Sequence, residues 1–299
     1  MNKKLIYSRD QRYIIPTSDW GFKHLFGTEK NKPILIGFLN RIIDDIEITD
    51  LDYIDREIVV PIGKGRDMSV DVYCKCKDGS RIIVEMQNYS QRSYAQRAIV
   101  YSAASILENY RVISDEYVIN KSYLIAITSN VMFPHVDHAP VRIGLCDLDA
   151  EKTTSLSDRL LQIFIELPKF ASTLDSLHKD DRFLDKFAAM MAEMPFCDKI
   201  PDKLDDELLR MIFNAADTKR YKLEEIDDYN KNIMNELEYA ATLHEYKVLG
   251  ISEGQAKGKA EGRAEGRAEG RAEVIAKITE AARKMGLSED QIKVLVQEA

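Results

Sequence analysis

Apolar residues along the front of the chain recur at two spacings, and the changes from one to the other mark the expected elements. Phe22, Leu25 and Phe26 sit at i, i+3 and i+4 behind Thr17-Ser18-Asp19, which predicts a capped start and a turn or two of helix. Asn31 to Ile43 predicts a second helix, with Ile34, Leu35, Phe38, Leu39 and Ile42 on one face and Pro33 in its first turn. Alternation between Ile46 and Val60 then suggests extended chain, and Pro61-Ile62-Gly63-Lys64-Gly65-Arg66 reads as a loop. Next, Ser69 to Cys76 alternates, Lys77-Asp78-Gly79 has turn chemistry, and Arg81 to Gln87 is a second strand. A three-residue turn with Gly79 in the left-handed conformation pairs Cys76 with Ser80 and, by counting back, sets Asp71 opposite Glu85.

Ser90 to Tyr110 has few breakers and reads as a long helix, with Arg97 and Tyr101 as i, i+4 neighbours. Tyr123 to Thr128 is an apolar run of the kind buried in a sheet covered by helices. The order helix, strand, strand, helix, strand therefore forms the core of an α/β protein. Residues 141–148 and 160–167 supply two more apolar segments, the latter stopped by Pro168. From Thr173 to Val248 the pattern is helical and acidic. Gly258 to Glu273 then runs G-K-A-E followed by three copies of G-R-A-E. In a helix its like charges fall four apart, and glycine at every fourth place weakens it further, so a solvated spacer or a frayed helix is expected. Gly286 suits a helix C-terminus, and Ser288-Glu289-Asp290-Gln291 is a capping box for a last helix.

Charge alters this picture only when it is divided. The 299 residues carry 42 Lys and Arg against 50 Asp and Glu, a net −8 that argues against coating a polyanion by bulk charge. The first 130 residues, however, hold 18 basic and 17 acidic side chains, so the acidity belongs to the rear. Cys74, Cys76, Cys146 and Cys197 match no zinc or redox spacing. With no signal-like stretch and no apolar run of membrane-spanning length, a cytoplasmic protein without a membrane partner is expected.

The candidate chemistry lies at the facing carboxylates. Asp71 and Glu85 would repel each other across the strands unless both reach solvent, one keeps a proton, or both hold a divalent cation. The second strand is apolar at Ile82, Ile83, Val84 and Met86, on both faces of the pleat, which disfavours solvent. Hard oxygens from two strands form part of a Mg2+ site. Gln87 shares the face of Glu85 and can orient a water, while Arg92, Arg97 and Tyr101 are candidates to meet nucleic-acid phosphates. A carboxylate-pair glycosidase, which needs an aromatic sugar-binding cleft, is disfavoured by the single Trp.

Asp71-Val72, a turn and Glu85-Met86-Gln87 resemble the PD-(D/E)XK nuclease signature. Together with D-W-G-F-K-H-L-F-G, I-L-I-G-F-L-N-R-I-I, R-x-x-x-Y, E-L-P-K-F and the G-R-A-E tail, the chain from about residue 17 to 250 resembles the recombination-promoting nucleases, or PD-(D/E)XK nuclease family transposases. The resemblance implies a restriction-endonuclease-like core, a central mixed sheet flanked by helices, over residues 10–170. An acidic helical extension over 171–250 and a low-complexity tail with terminal helices over 251–299 would follow. It further implies Mg2+-dependent DNA cleavage, with Mn2+ as substitute, linked to recombination or mobile elements. Asp71 and Glu85 map onto the metal-binding pair and Gln87 onto a position usually held by Lys. Asp19 is a further candidate ligand, or else the N-cap of the first helix. Self-association through the tail is expected, and a nuclease-like module that binds DNA or protein without cutting is the alternative.

Overall fold

The computed structural model describes residues 11–55, 57–58, 68–88, 93–147, 149, 154–170 and 172–297. The seven α-helices of the described residues are α1 (Asp19–Phe26), α2 (Lys32–Ile42), α3 (Tyr94–Asn109), α4 (Phe183–Glu193), α5 (Glu207–Ala216), α6 (Leu223–Lys284) and α7 (Glu289–Gln297). The strands are β1 (Leu51–Tyr53), β2 (Glu57–Ile58), β3 (Met68–Ser69), β4 (Val72–Cys76), β5 (Arg81–Gln87), β6 (Tyr110–Ile113), β7 (Glu116–Ile119), β8 (Ser122–Thr128), β9 (Val141–Asp147) and β10 (Thr154–Glu166). Six of them form one sheet in the order β1-β4-β5-β8-β10-β9. Its three middle strands β5, β8 and β10 run parallel, and β1, β4 and β9 are antiparallel to their neighbours. The expected α/β class and mixed sheet are what the structure has.

The hairpin register follows from its turn. Val72 pairs with Val84, Tyr73 with Ile83, Cys74 with Ile82 and Lys75 with Arg81, the register expected from a three-residue loop. Gly79 has φ +88°, and the amide of Cys76 donates to the Ser80 carbonyl at 2.9 Å. A Cβ at Gly79 would also stand 2.6 Å from the Asn120 side-chain amide.

Alternating strand residues feed two cores. One face of the sheet, with Ile82, Val84, Tyr123, Ile125, Ile127, Ile163 and Ile165, packs with α1, α2, α4 and α5. These helices bring Phe22, Phe26, Phe38, Phe187 and Phe213 into that core. The segment from α4 to the start of α6 therefore shares its hydrophobic interior with the strands. The opposite face, with Tyr73, Ile83, Leu124, Ala126 and Phe164, is covered by α3 through Tyr94, Ala98, Tyr101 and Ala104. Chain compactness separates residues 1–234 from 235–299.

Several expectations shift in detail. Ser18, not Asp19, caps α1, accepting from the Gly21 amide at 3.0 Å; Asp19 is the first helical residue. The loop at 61–66 lies outside the described residues, as does Arg92. The β6–β7 hairpin had no expected counterpart: both its strands are exposed, and Ser114 and Asp115 make its turn with φ of 51° and 67° rather than the usual Asn-Gly. The G-R-A-E stretch is helical, within the 62-residue α6. Lys257–Glu261, Lys277–Glu273 and Lys284–Glu280 are opposite-charge i, i+4 pairs that support this helix on either side of the repeats. At its end Gly286 has φ +78° and the Leu287 amide bonds to the Ala282 carbonyl at 3.2 Å, the left-handed cap expected there. No helix of the described residues is long and apolar enough to cross a membrane.

Replacing Gly79 with Val puts a β-branched residue in the left-handed region against Asn120, and we expect it to destabilise the fold by about 2 kcal/mol. Urea unfolding measures this, and a loss no larger than at an exposed strand position would show that the turn does not set the register.

Candidate functional site

The backbone ladder of β4 and β5 ends at Val72 and Val84, and side chains continue it. The Asp71 amide donates to Glu85 Oε1 at 2.9 Å, and the Met86 amide donates to Asp71 Oδ2 at 2.8 Å. Each carboxylate thus spends one oxygen on the opposite strand's backbone. The reciprocal bonds hold the two acids face to face, as the register requires, on the side of the sheet covered by α3.

Both acids are poorly solvated, Glu85 being 6% exposed. Burial, reinforced by the charge of Asp71, pushes the Glu85 carboxyl up to about 8. Burial also raises Asp71, opposed by the Met86 amide and by Lys23. The metal-free pair therefore resists carrying two negative charges near neutral pH.

Cations approach the pair from two helices. Lys23 on α1 lies 2.5 Å from Asp19 Oδ1 and 3.6 Å from Asp71 Oδ1, so one ammonium sits between two acids. From α3, Arg97 Nη2 donates to Gln87 Oε1 at 3.0 Å, and its charge lowers the Glu85 pKa. Gln87 carries no charge itself, but it anchors an arginine beside the acids. Arg97 also lies over the Tyr94 ring, 5.1 Å from its centroid.

Among the other candidates, Tyr101 is buried in the α3 core, and Asp19 shares the Lys23 ammonium with Asp71. Arg92 lies outside the described residues. Lys23 and Tyr94 were not singled out from the sequence. The i, i+4 spacing of Asp19 and Lys23 in D-W-G-F-K, and the i, i+3 spacing of Tyr94 and Arg97 on one helix face, are the signals that would have found them.

The strand ends around the pair are tied together. Gln87, Thr128 and Glu166 stand in register at the ends of the three parallel strands. The Ser129 amide donates to the Gln87 carbonyl at 3.0 Å, and Asn130 Nδ2 donates to the Asn88 carbonyl at 3.0 Å. Fully buried Glu166 accepts the Met132 and Phe133 amides and pairs with Lys169 at 2.5 Å. The E-L-P-K segment is thus a clip that fixes the loop after β8.

The donor set suits a hard divalent cation: two carboxylates, each with its second oxygen outside the ladder bonds. Among the described residues no group of three or more His, Cys, Asp or Glu side chains converges, so further ligands would come from backbone, water or substrate. The buried Tyr94 hydroxyl and Arg97 Nε also have no hydrogen-bond partner among the described residues, which fits a bound water or ligand oxygen at this end of the sheet.

Paired acids at the end of two adjacent strands, in a mixed sheet layered with helices, define a protein of the PD-(D/E)XK nuclease-like class. The chain belongs to the PD-(D/E)XK nuclease family transposases, whose family model matches residues 16–245. Comparison with curated proteins and with solved structures returns no significant match in either.

The raised pKa has a consequence for stability. The metal-free fold keeps a proton on Glu85 that the unfolded chain, with an ordinary value of 4.5, releases earlier. This contribution is complete below about pH 4.5 and is lost as pH rises through about 8. Metal-free protein is expected to unfold at lower urea as pH rises across that window, and Glu85→Gln to flatten the profile. An unchanged slope in Glu85→Gln would show that other groups cause it.

Proposed function

We propose that the protein is a Mg2+-dependent DNA endonuclease in which Asp71 and Glu85 hold the metal. The observation that carries this reading is the reciprocal bonding that keeps buried Glu85 and half-buried Asp71 facing each other despite their repulsion. A bound Mg2+ lowers the pKa of a coordinated water and stabilises charge developing on a scissile phosphate. Mn2+ suits the same oxygen donors.

The chain's own groups divide the remaining work. Glu85 would have to give up its proton for the pair to hold the metal, so affinity rises with pH. Gln87 orients the Arg97 guanidinium toward the acids, and Arg97 and Lys23 are placed to receive anionic phosphate oxygens. Family membership supports DNA as substrate, and recombination or transfer of mobile elements as the setting. Cytoplasmic residence and self-association through the C-terminal tail complete the reading, the latter resting on the repeat composition of the tail.

Wild type with Mg2+ or Mn2+ should cleave plasmid DNA, whereas Asp71→Ala and Glu85→Ala should fall to the metal-free background. Equal activity in all three proteins would defeat the assignment. DNA binding that weakens steeply with salt, with no turnover under any divalent ion, would replace it with a non-cleaving module. Arg97→Gln is expected to slow cleavage by about a hundredfold, as loss of one charge-stabilising donor does. Single-turnover rates check this, and a change in DNA affinity alone would remove Arg97 from the chemical step.

A further inference from the structure

The outer face of α3 is apolar where a solvated helix would be polar. Ile99, Val100, Ala103 and Leu107 are exposed, with Ile99 61% accessible, and Ile106 is half-buried beside them. The stripe continues at Tyr110 into the β6–β7 hairpin. In that hairpin Tyr110 pairs with Ile119 and Val112 with Tyr117, so these four share one wholly apolar face. Tyr117 is 75% exposed, and the hairpin forms its own two-stranded sheet. Isolated two-stranded ribbons are marginal in water, and an exposed apolar edge seeks a partner.

We infer that this surface is an interface between two copies of the chain, formed by antiparallel packing of α3 about Ala103. The pattern is symmetric about that residue: Ile99 and Val100 lie four and three positions before it, Ile106 and Leu107 three and four after. A two-fold contact needs a patch complementary to itself, and reversing this helix on its own image supplies one. Leu107 then meets the partner's Ile99, Ile106 meets the partner's Val100, and Tyr110 reaches the partner's Gln96. The small side chain at the centre lets the helix axes approach to about 8 Å.

Area and charge both favour a second copy. Ile99, Val100 and Leu107 with Tyr110, Val112 and Tyr117 offer on the order of 600 Å² per copy, the low end of what each partner of a standard-size interface contributes. The stripe carries no charge: neighbouring Glu108 is engaged by Arg81 at 3.0 Å, while Arg111 and Glu116 lie on the other face of the hairpin. Among the described residues, a nucleic acid would find no cation on this stripe. The inference does not depend on the nuclease reading, because it uses only the outer face of the helix that carries Arg97 inward.

Ala103 is exposed, so Ala103→Cys tests the contact in the full chain. With the axes about 8 Å apart, the two Cα atoms at position 103 come within disulfide reach. With half-buried Cys146 and Cys197 replaced by Ser in both proteins, mild oxidation should yield a covalent dimer when Ala103→Cys is present but not without it, since Cys74 and Cys76 are buried. Adding Leu107→Glu, or separately Ile99→Glu, should lower the linked fraction at least about tenfold by placing an uncompensated charge in the contact. No linkage above that control, as association through the tail alone would give, overturns the inference. Linkage indifferent to both glutamates overturns it too.

Discussion

Two carboxylates that repel each other are held one step beyond the last backbone pair of a hairpin, and the surrounding structure is organised to keep them there. At that step the strands exchange backbone amides for side-chain oxygens: Asp71 accepts from Met86, and Glu85 from Asp71. Such bonds favour the charged form of each acid, whereas burial and mutual repulsion favour the proton. The opposition leaves a site poised to accept positive charge. A one-residue slip would turn one acid to the other face of the sheet, so the turn at Gly79 and the chemistry at Asp71 are parts of one constraint.

The two faces of the sheet serve this site differently. Below it, the larger core locks the strands to α1, α2, α4 and α5 through large aromatic side chains, including Phe26, Phe38 and Phe187, whose rings contact in series. Above it, α3 and the loop after β8 cover a smaller cluster, and α3 delivers Arg97 to Gln87. Lys23 comes from α1, at the margin of the larger core. Cations therefore converge on the acids from elements belonging to both layers. The bonds among Asn88, Ser129 and Asn130, with the Glu166–Lys169 clip, then keep the strand ends from splaying.

Much of this was legible because its causes are local. Helical spacing of apolar residues marked α1 and α2, and turn chemistry at Lys77-Asp78-Gly79 set the pairing of Asp71 with Glu85. Gly286 announced the end of α6. The β6–β7 hairpin was not legible, since it buries little, lacks strong turn residues and follows a helix without a break. Of the two states expected for the G-R-A-E stretch, spacer or helix, the structure takes the helix: spacing of like charges and glycines weighs against a short isolated helix, but here it is an interior stretch of a long one, with nucleation already met on either side.

By itself, the sequence determined the α/β class, the hairpin register and the confrontation of two acids, because each depends on alternation, turn geometry or spacing over a few residues. Only the tertiary structure decided what surrounds the acids. Lys23 lies 48 positions before Asp71 and Arg97 ten after Gln87, and no local rule predicts that their side chains meet these partners. The same holds for burial. Whether Glu85 is solvated or pushed up to about 8 depends on layers contributed by the whole first unit, and that desolvation distinguishes a candidate metal site from two acids on a surface hairpin.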